Sequence, residues 1–278
     1  MAKNTANPTA GAAAVLSSVR KLSNGAANSA RQDWVAAEAP LEVRIGGKPT
    51  TVLMRTPGHD EELVTGFLFN EGIIASAGDV VSIGHLRPAR GQTAGSVIAV
   101  ELSKSRKAPA VDRLFYSNSS CGVCGKKTIA SLEVRGPVAH THLRVHRNVL
   151  ETLPDRLRAA QPTFAQTGGV HASALFTGDG ELVAVREDVG RHNALDKLIG
   201  WALMAGMIPL AEYVLLVSGR VSYELVQKSV AASIPFIAAV GAPSSLAVEL
   251  AERFELTLVG FLRSGSMNVY SHEERIIP

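Results

Sequence analysis

Three short, almost wholly apolar runs constrain the fold most: Tyr213-Val-Leu-Leu-Val217, Phe236-Ile-Ala-Ala-Val240 and Leu256-Thr-Leu-Val-Gly-Phe261. Each has strand length, and none shows the polar alternation of a sheet with one wet face. Such strands need cover on both faces. The cover lies between them in sequence: residues 221–232 have helical spacing, and Ser244 or Ser245 can cap a further helix running to Phe254. Strand–helix–strand–helix–strand at this spacing predicts a parallel α/β core. Upstream, residues 192–206 also have helical spacing. Ala172-Ser-Ala-Leu-Phe176 and Leu182-Val-Ala-Val185 flank Thr177-Gly-Asp-Gly180 and predict a hairpin.

The first half reads differently. Leu41-Glu-Val-Arg-Ile45 alternates, Gly46-Gly47 signals a turn, and Thr50-Thr-Val-Leu-Met54 returns as a second strand. Acidic Asp60, Glu61 and Glu62 precede apolar positions at helical spacing, which predicts a helix through Phe69. Residues 80–83 and 96–102 read as further strands. The expected organisation is α/β, with a smaller β-rich subdomain over 34–130 and an α/β domain over 131–278. Residues 1–33 are expected to be a disordered tail. No acidic residue occurs from Met1 to Gln32, where bases are scattered at Lys3, Arg20, Lys21 and Arg31. That composition fits either a mitochondrial presequence or a bland polar extension, and no apolar run there has the length of a secretory core.

Composition sets outer bounds. With 46% hydrophobic and 19% charged residues among 278, the chain can bury a core and is not intrinsically disordered. A net charge of +3 does not mark a nucleic-acid binder. The most apolar stretch, residues 201–217, is broken by Pro209 and Glu212 and falls short of the roughly 20 apolar residues of a membrane span. Two cysteines with no export signal point to a reducing compartment, the cytoplasm.

Both cysteines lie in one motif, Ser117-Asn-Ser-Ser-Cys121-Gly-Val-Cys124-Gly-Lys126-Lys127. Small and polar neighbours suit an accessible loop, and the two lysines favour the thiolate, the form that attacks sulfur. Buried small hydrophobes, a zinc half-site and a redox dithiol are the competing readings. A zinc site needs two more ligands, and His171 or His192 would complete it only at a spacing that no finger uses. Five further clusters carry polar chemistry. Thr167-Gly-Gly-Val-His171 precedes a strand. Arg186-Glu-Asp-Val-Gly190-Arg-His-Asn-Ala-Leu-Asp-Lys197 joins a strand to a helix and suits either an anion site or a salt-bridged turn. Ser218-Gly219-Arg220 and Gly241-Ala-Pro-Ser244 follow parallel strands, where open α/β sheets bind ligands. Phe261-Leu262-Arg263-Ser264-Gly265-Ser266 ends the last strand with groups suited to phosphate or a purine edge. Neither GxGxxG nor GxxxxGK[ST] is present.

In order along the chain, Ser119-Ser-Cys-Gly-Val-Cys-Gly-Lys126, Thr167-Gly-Gly-Val-His-Ala172, the 186–197 motif, Ser218-Gly-Arg220 and Gly260-Phe-Leu-Arg263 resemble the FdhD/NarQ family. The resemblance runs from about residue 34 to the C-terminus. It implies a sulfurtransferase that takes sulfur from a cysteine desulfurase as a persulfide and passes it to the molybdenum of bis(molybdopterin guanine dinucleotide), for use by formate dehydrogenase. It places the persulfide on Cys121, assigns Cys124 an assisting role, and puts cofactor binding on Phe261, Leu262, Arg263, Ser264, Gly265 and Ser266. It further implies a homodimer, a cytidine-deaminase-like C-terminal domain and no metal beyond the molybdenum cargo. The order of CxxC before His171, with no neighbouring carboxylate, departs from a deaminase zinc site. A cofactor chaperone that moves no sulfur and a CxxC dithiol oxidoreductase are the rival functions.

Overall fold

The structure, a computed structural model, describes residues 12–22, 29–87, 95–103, 115–117 and 141–278. Cys121 and Cys124 lie outside the described residues. The chain opens with β1 (Ala14–Lys21) and β2 (Ser29–Ala36), an antiparallel pair in continuous register from Ala14↔Ala36 to Lys21↔Ser29. This corrects the expectation of a disordered tail through residue 33. The alternation in Val15, Ser17 and Val19 against Val35, Asp33 and Arg31 was masked by the polar composition around it.

The N-terminal sheet follows. It comprises β3 (Ala39–Ile45), β4 (Lys48–Arg55), β5 (Val80–His85), β6 (Val97–Leu102) and β7 (Phe115–Ser117), in the order β5-β6-β3-β4-β7. Gly46 and Gly47 take positive φ in the β3–β4 turn, as the hairpin requires. Helix α1 (Asp60–Asn70) lays Leu63, Val64, Phe67 and Leu68 against Leu41, Val43, Ile98 and Val100 of this sheet.

After β8 (Val145–His146), α2 (Arg147–Ala159) and α3 (Pro162–Thr167), the second sheet begins with the hairpin β9 (His171–Thr177) and β10 (Leu182–Asp188). It continues through α4 (Arg191–Met204), β11 (Tyr213–Val217), α5 (Tyr223–Ala231), β12 (Phe236–Ala239), α6 (Ser245–Arg253), β13 (Thr257–Arg263) and β14 (Ser266–Ser271). β15 (Ile276–Ile277) closes the chain as a parallel partner of β8. Strand order is β10-β9-β11-β12-β13-β14. Only β11, β12 and β13 are mutually parallel; β9, β10 and β14 pair antiparallel, so the sheet is mixed.

The apolar runs do what two-sided burial demands. Leu215, Val217, Ile237 and Leu258 face α4, α5 and α6, whereas Val214, Leu216, Phe236 and Val259 face Leu150, Leu153 and Leu157 of α2. Three layers, α/β/α, result.

A helix crossing and buried polar pairs bind the two sheets together. Helices α1 and α4 cross at Gly66 and Gly200, where a Cβ on either would collide with the carbonyl oxygen of Asp196 or Glu62 respectively. Backbone-to-backbone approach of this kind admits only glycine. Beside the crossing, Asp188 is fully buried and accepts from four donors: Thr56 N (3.0 Å), Gly190 N (2.8 Å), Asn193 Nδ2 (3.0 Å) and Lys197 Nζ (2.8 Å). Lys197 Nζ also donates to the carbonyls of Thr56 and Glu187, which uses its three protons. Thr56 comes from the N-terminal part and the others from the C-terminal part, so the cluster joins them. Arg186 adds a bidentate pair to Glu62 (2.5 and 2.8 Å).

Breaking one partner of a buried pair leaves a stranded charge, which costs about 3–5 kcal/mol. Lys197→Met should lower the unfolding free energy by about that amount in urea titrations. Burial by itself would raise the Glu62 pKa, but hydrogen bonds and charge from Arg186 and His59 outweigh it and hold it at about 2. This contribution is complete above the ordinary carboxylate value of 4.5 and is lost as pH falls toward 2. Glu62→Gln should therefore flatten the fall in stability across that window in acid-unfolding curves.

Candidate functional site

The C-terminal ends of β11, β12 and β13 come together at one edge of the second sheet. Because β9 runs antiparallel to β11, the first residue of β9, His171, joins them. Ala172 N donates to Ser218 Oγ (2.9 Å), and Ser218 N donates to the Ala172 carbonyl (3.0 Å). The three strand-end loops are laced through their backbones. Phe261 N donates to Gly241 O, and Gly241 N donates to Gly219 O, both at 3.0 Å. A Cβ on Gly241 would lie 2.7 Å from that Gly219 oxygen, and one on Gly219 would lie 3.1 Å from His171 Nδ1. Glycine is what lets the loops and the imidazole stack this closely.

The neighbouring β10–α4 junction completes the edge. Helix α4 starts at Arg191 with Gly190 as N-cap and no capping side chain. A helix N-terminus of this kind favours anions. Cationic groups gather around it. Burial lowers the His171 pKa below 6.5, and Arg191, His192 and Arg220 lower it further, with Asp188 opposing. His171 is therefore chiefly neutral at pH 7, beside the permanent cations Arg191 and Arg220. Among the described residues no three His, Cys, Asp or Glu side chains converge to hold a metal ion. No helix among them is long and apolar enough to cross a membrane.

The 186–197 motif divides between two tasks. Arg186 pairs with Glu62, and Glu187 accepts from the first-turn N–H groups of Thr163 and Phe164 in α3 (2.9 and 2.8 Å). Asp188, Asn193 and Lys197 form the buried joint, and Asp196 pairs with Lys228 (2.5 Å). Only Arg191 and His192 belong to the sheet edge. Most of this charge density is thus an internal clamp, since charges buried between two apolar layers must pair.

The segment 261–266 divides as well. Phe261 stands out from the strand end, 44% exposed at φ 52°, a backbone region that costs a non-glycine residue strain. Leu262 is fully buried in the core facing α2, so its side chain holds the strand and is not presented to a ligand. Arg263 folds back, with Nη1 donating to Val240 O (2.7 Å) and Leu262 O (2.8 Å). Ser264, Gly265 and Ser266 are exposed in the β13–β14 turn, Gly265 at φ 81°. Ser222 and Glu224, at the start of α5, were not singled out in the sequence; there Ser222 Oγ lies 3.2 Å from His192 Nε2. The signal available was a Ser-Tyr-Glu helix start directly after Ser218-Gly-Arg220.

Comparison with known proteins decides the lineage. Residues 36–277 match the FdhD/NarQ family. The chain belongs to that family. A sulfur carrier protein FdhD of Streptomyces coelicolor is 51% identical over 265 residues, covering 93% of this chain and 94% of the relative. Its namesake in Mycobacterium tuberculosis is 51% identical over 258 residues, covering 88% and 92%. A crystal structure from Desulfotalea psychrophila, of a protein assigned as a formate dehydrogenase accessory protein, superposes with TM-score 0.75 at 25% identity. That comparison covers 96% of this chain and all of that one, so the two-sheet architecture is the one an FdhD/NarQ chain adopts.

The electrostatics of the edge give a direct test in this FdhD/NarQ chain. By proton NMR, His171 should titrate with a midpoint below 6.5. Removing a nearby cation with Arg220→Gln should move that midpoint upward, because less repulsion then opposes the imidazolium.

Proposed function

We propose that this protein is a sulfur carrier for formate dehydrogenase maturation. In this reading Cys121 takes sulfur from a cysteine desulfurase as a persulfide and delivers it to the molybdenum of bis(molybdopterin guanine dinucleotide). The observation that carries the reading is half-identity, across nearly the whole chain, to proteins named as sulfur carriers. Supporting it, the only two cysteines stand together in a CxxC motif beside Lys126 and Lys127. In the first step the Cys121 thiolate attacks the terminal sulfur of the desulfurase persulfide, giving Cys121–S–S⁻ and the desulfurase thiolate, with no net redox change. The second step delivers sulfide, which needs two electrons. Cys124 supplies them by attacking the inner sulfur of the persulfide: hydrosulfide leaves toward molybdenum, and a Cys121–Cys124 disulfide remains for a cellular thiol to reduce.

The cofactor is cargo, and its diphosphates and guanine bases suit the sheet edge. Arg191, Arg220 and Arg263, with the uncapped start of α4, supply positive charge for phosphate. Phe261, Arg263, Ser264, Gly265 and Ser266 form the rim, with Leu262 anchoring it from behind. The same reading makes the protein a cytoplasmic homodimer.

The test is intact-mass analysis after incubation with a cysteine desulfurase and free cysteine. A reducible gain of one sulfur is expected in the wild type and in Cys124→Ala, and none in Cys121→Ala. Cys121→Ala should also abolish formate dehydrogenase activation in a complementation assay. Activation that survives Cys121→Ala would replace the carrier with a cofactor chaperone.

A further inference from the structure

The β1–β2 hairpin has no part in the buried joint or in the sheet edge. Among the described residues its strands pair only with each other. A two-stranded ribbon is marginal in water unless something covers it. On one face Val15, Ser17, Val19 and Asp33 are half-buried. On the other, Leu16 and Trp34 stand directly opposite each other across the ribbon, 54% and 41% exposed. Beyond them on that face come exposed Ser18 and Gln32, joined at 2.9 Å, and then exposed Arg20. Lys21 ends β1, and Leu22 follows it at 70% exposed. The root of the ribbon is fixed: Ala37 N donates to Ala13 O (2.9 Å), and a Cβ on Gly169 would lie 3.1 Å from that of Ala36.

Charge here is one-sided. Lys3, Arg20, Lys21 and Arg31 precede the first acidic residue of the chain, Asp33, and Asp33 is engaged by Arg31 at 3.1 Å. The ribbon therefore presents Leu16, Leu22 and Trp34 beside Arg20 and Lys21, on a background of Ser, Gln and Ala. Such a surface complements anionic headgroups. Indole and leucine side chains enter the boundary between headgroups and acyl chains, while bases stay among the phosphates. A stable protein interface takes about 800 Å² from each partner. One cross-strand pair and a ribbon tip offer less than that. A bilayer needs no complementary shape and accepts a few anchors.

We propose that the β1–β2 hairpin anchors the protein to an anionic membrane surface, with Leu16, Leu22 and Trp34 entering the interface and Arg20 and Lys21 binding the headgroups. The contact is shallow. Unpaired backbone groups on the ribbon edges cannot enter hydrocarbon, so they stay at headgroup depth, where water and phosphate satisfy them. With few anchors the attachment is reversible, grows with the anionic lipid content and weakens as salt screens the bases. Because the root of the ribbon is fixed, the anchor also orients the rest of the molecule on the surface.

The experiment sediments the full chain with vesicles of phosphatidylcholine alone or with an equal part of phosphatidylglycerol. Wild type should pellet with the anionic vesicles and stay in solution with the neutral ones. The chain has two tryptophans, and Trp201 is packed on the core under the Arg186 guanidinium. A blue shift of emission on adding anionic vesicles should therefore come from Trp34 and vanish in Trp34→Phe. Arg20→Gln with Lys21→Gln should weaken vesicle binding about tenfold. Leu16→Gln with Trp34→Gln should abolish it. All four positions are exposed, so unchanged urea unfolding should show that each variant folds as wild type does. Wild type that ignores anionic vesicles, or binds neutral ones equally well, would overturn the proposal. So would full binding by both double variants, which would place the lipid contact elsewhere. A dimer that dissociates in Leu16→Gln with Trp34→Gln, in a protein that binds no vesicles, would give this face to a second copy instead.

Discussion

The arrangement depends on one buried carboxylate. Asp188 is fully enclosed, and four donors from two segments of chain satisfy it. A charge in that position is tolerable only when every lone pair is met, so it dictates where each donor must be. It holds Thr56 of the N-terminal part against α4, and through Gly190 it sets the backbone at the start of that helix. The start of α4 is also a wall of the candidate site. The joint between the two sheets and the geometry of the ligand edge are therefore one structure. The glycine crossing of α1 and α4 makes the same joint from the apolar side, because Gly66 and Gly200 bring two helix backbones into direct contact.

From that joint the logic of the sheet follows. Parallel strands present their C-terminal loops at one edge, and glycines at positions 219 and 241 let these loops stack backbone on backbone. Little side-chain bulk remains between them: Arg220 and Phe261 are exposed, while Arg263 folds back onto the Val240 and Leu262 carbonyls. A polar edge on an apolar three-layer core suits a ligand that is charged at one end and flat at the other. In the proposed function, this edge is where the nucleotide-bearing cofactor is held while sulfur is brought to it. Carrying sulfur and holding the acceptor are different physical tasks, the first needing an accessible thiolate and the second a preorganised pocket.

Periodicity made much of this legible. The runs at 213–217, 236–240 and 256–261 predicted β11, β12 and β13 closely, since strands buried on both faces leave an unmistakable apolar signature. The β3–β4 and β9–β10 hairpins were readable from Gly-bearing turns. What escaped was structure whose cause lies far away in sequence. The β1–β2 hairpin is short on apolar residues. The α2 helix carries Pro154 within it and draws its helicity from burying Leu150, Leu153 and Leu157 against the sheet. The 186–197 motif looked like a ligand site because its charges stood unexplained. Their partners, Glu62, Thr56 and Lys228, are distant in the chain and carry no mark of the pairing. His171, Arg220 and Arg263 were recognisable at strand ends, whereas Glu224 became visible only once α5 placed it beside His192.

In the proposed function, sulfur borne by Cys121 is the sulfur that molybdenum receives. Loading the chain with sulfur-34 persulfide, removing the desulfurase, and adding bis(molybdopterin guanine dinucleotide) with apo-formate dehydrogenase in unlabelled buffer tests it directly. Sulfur-34 is expected on the molybdenum of the matured enzyme, in step with loss of label from the carrier. Active enzyme containing only unlabelled sulfur would contradict it.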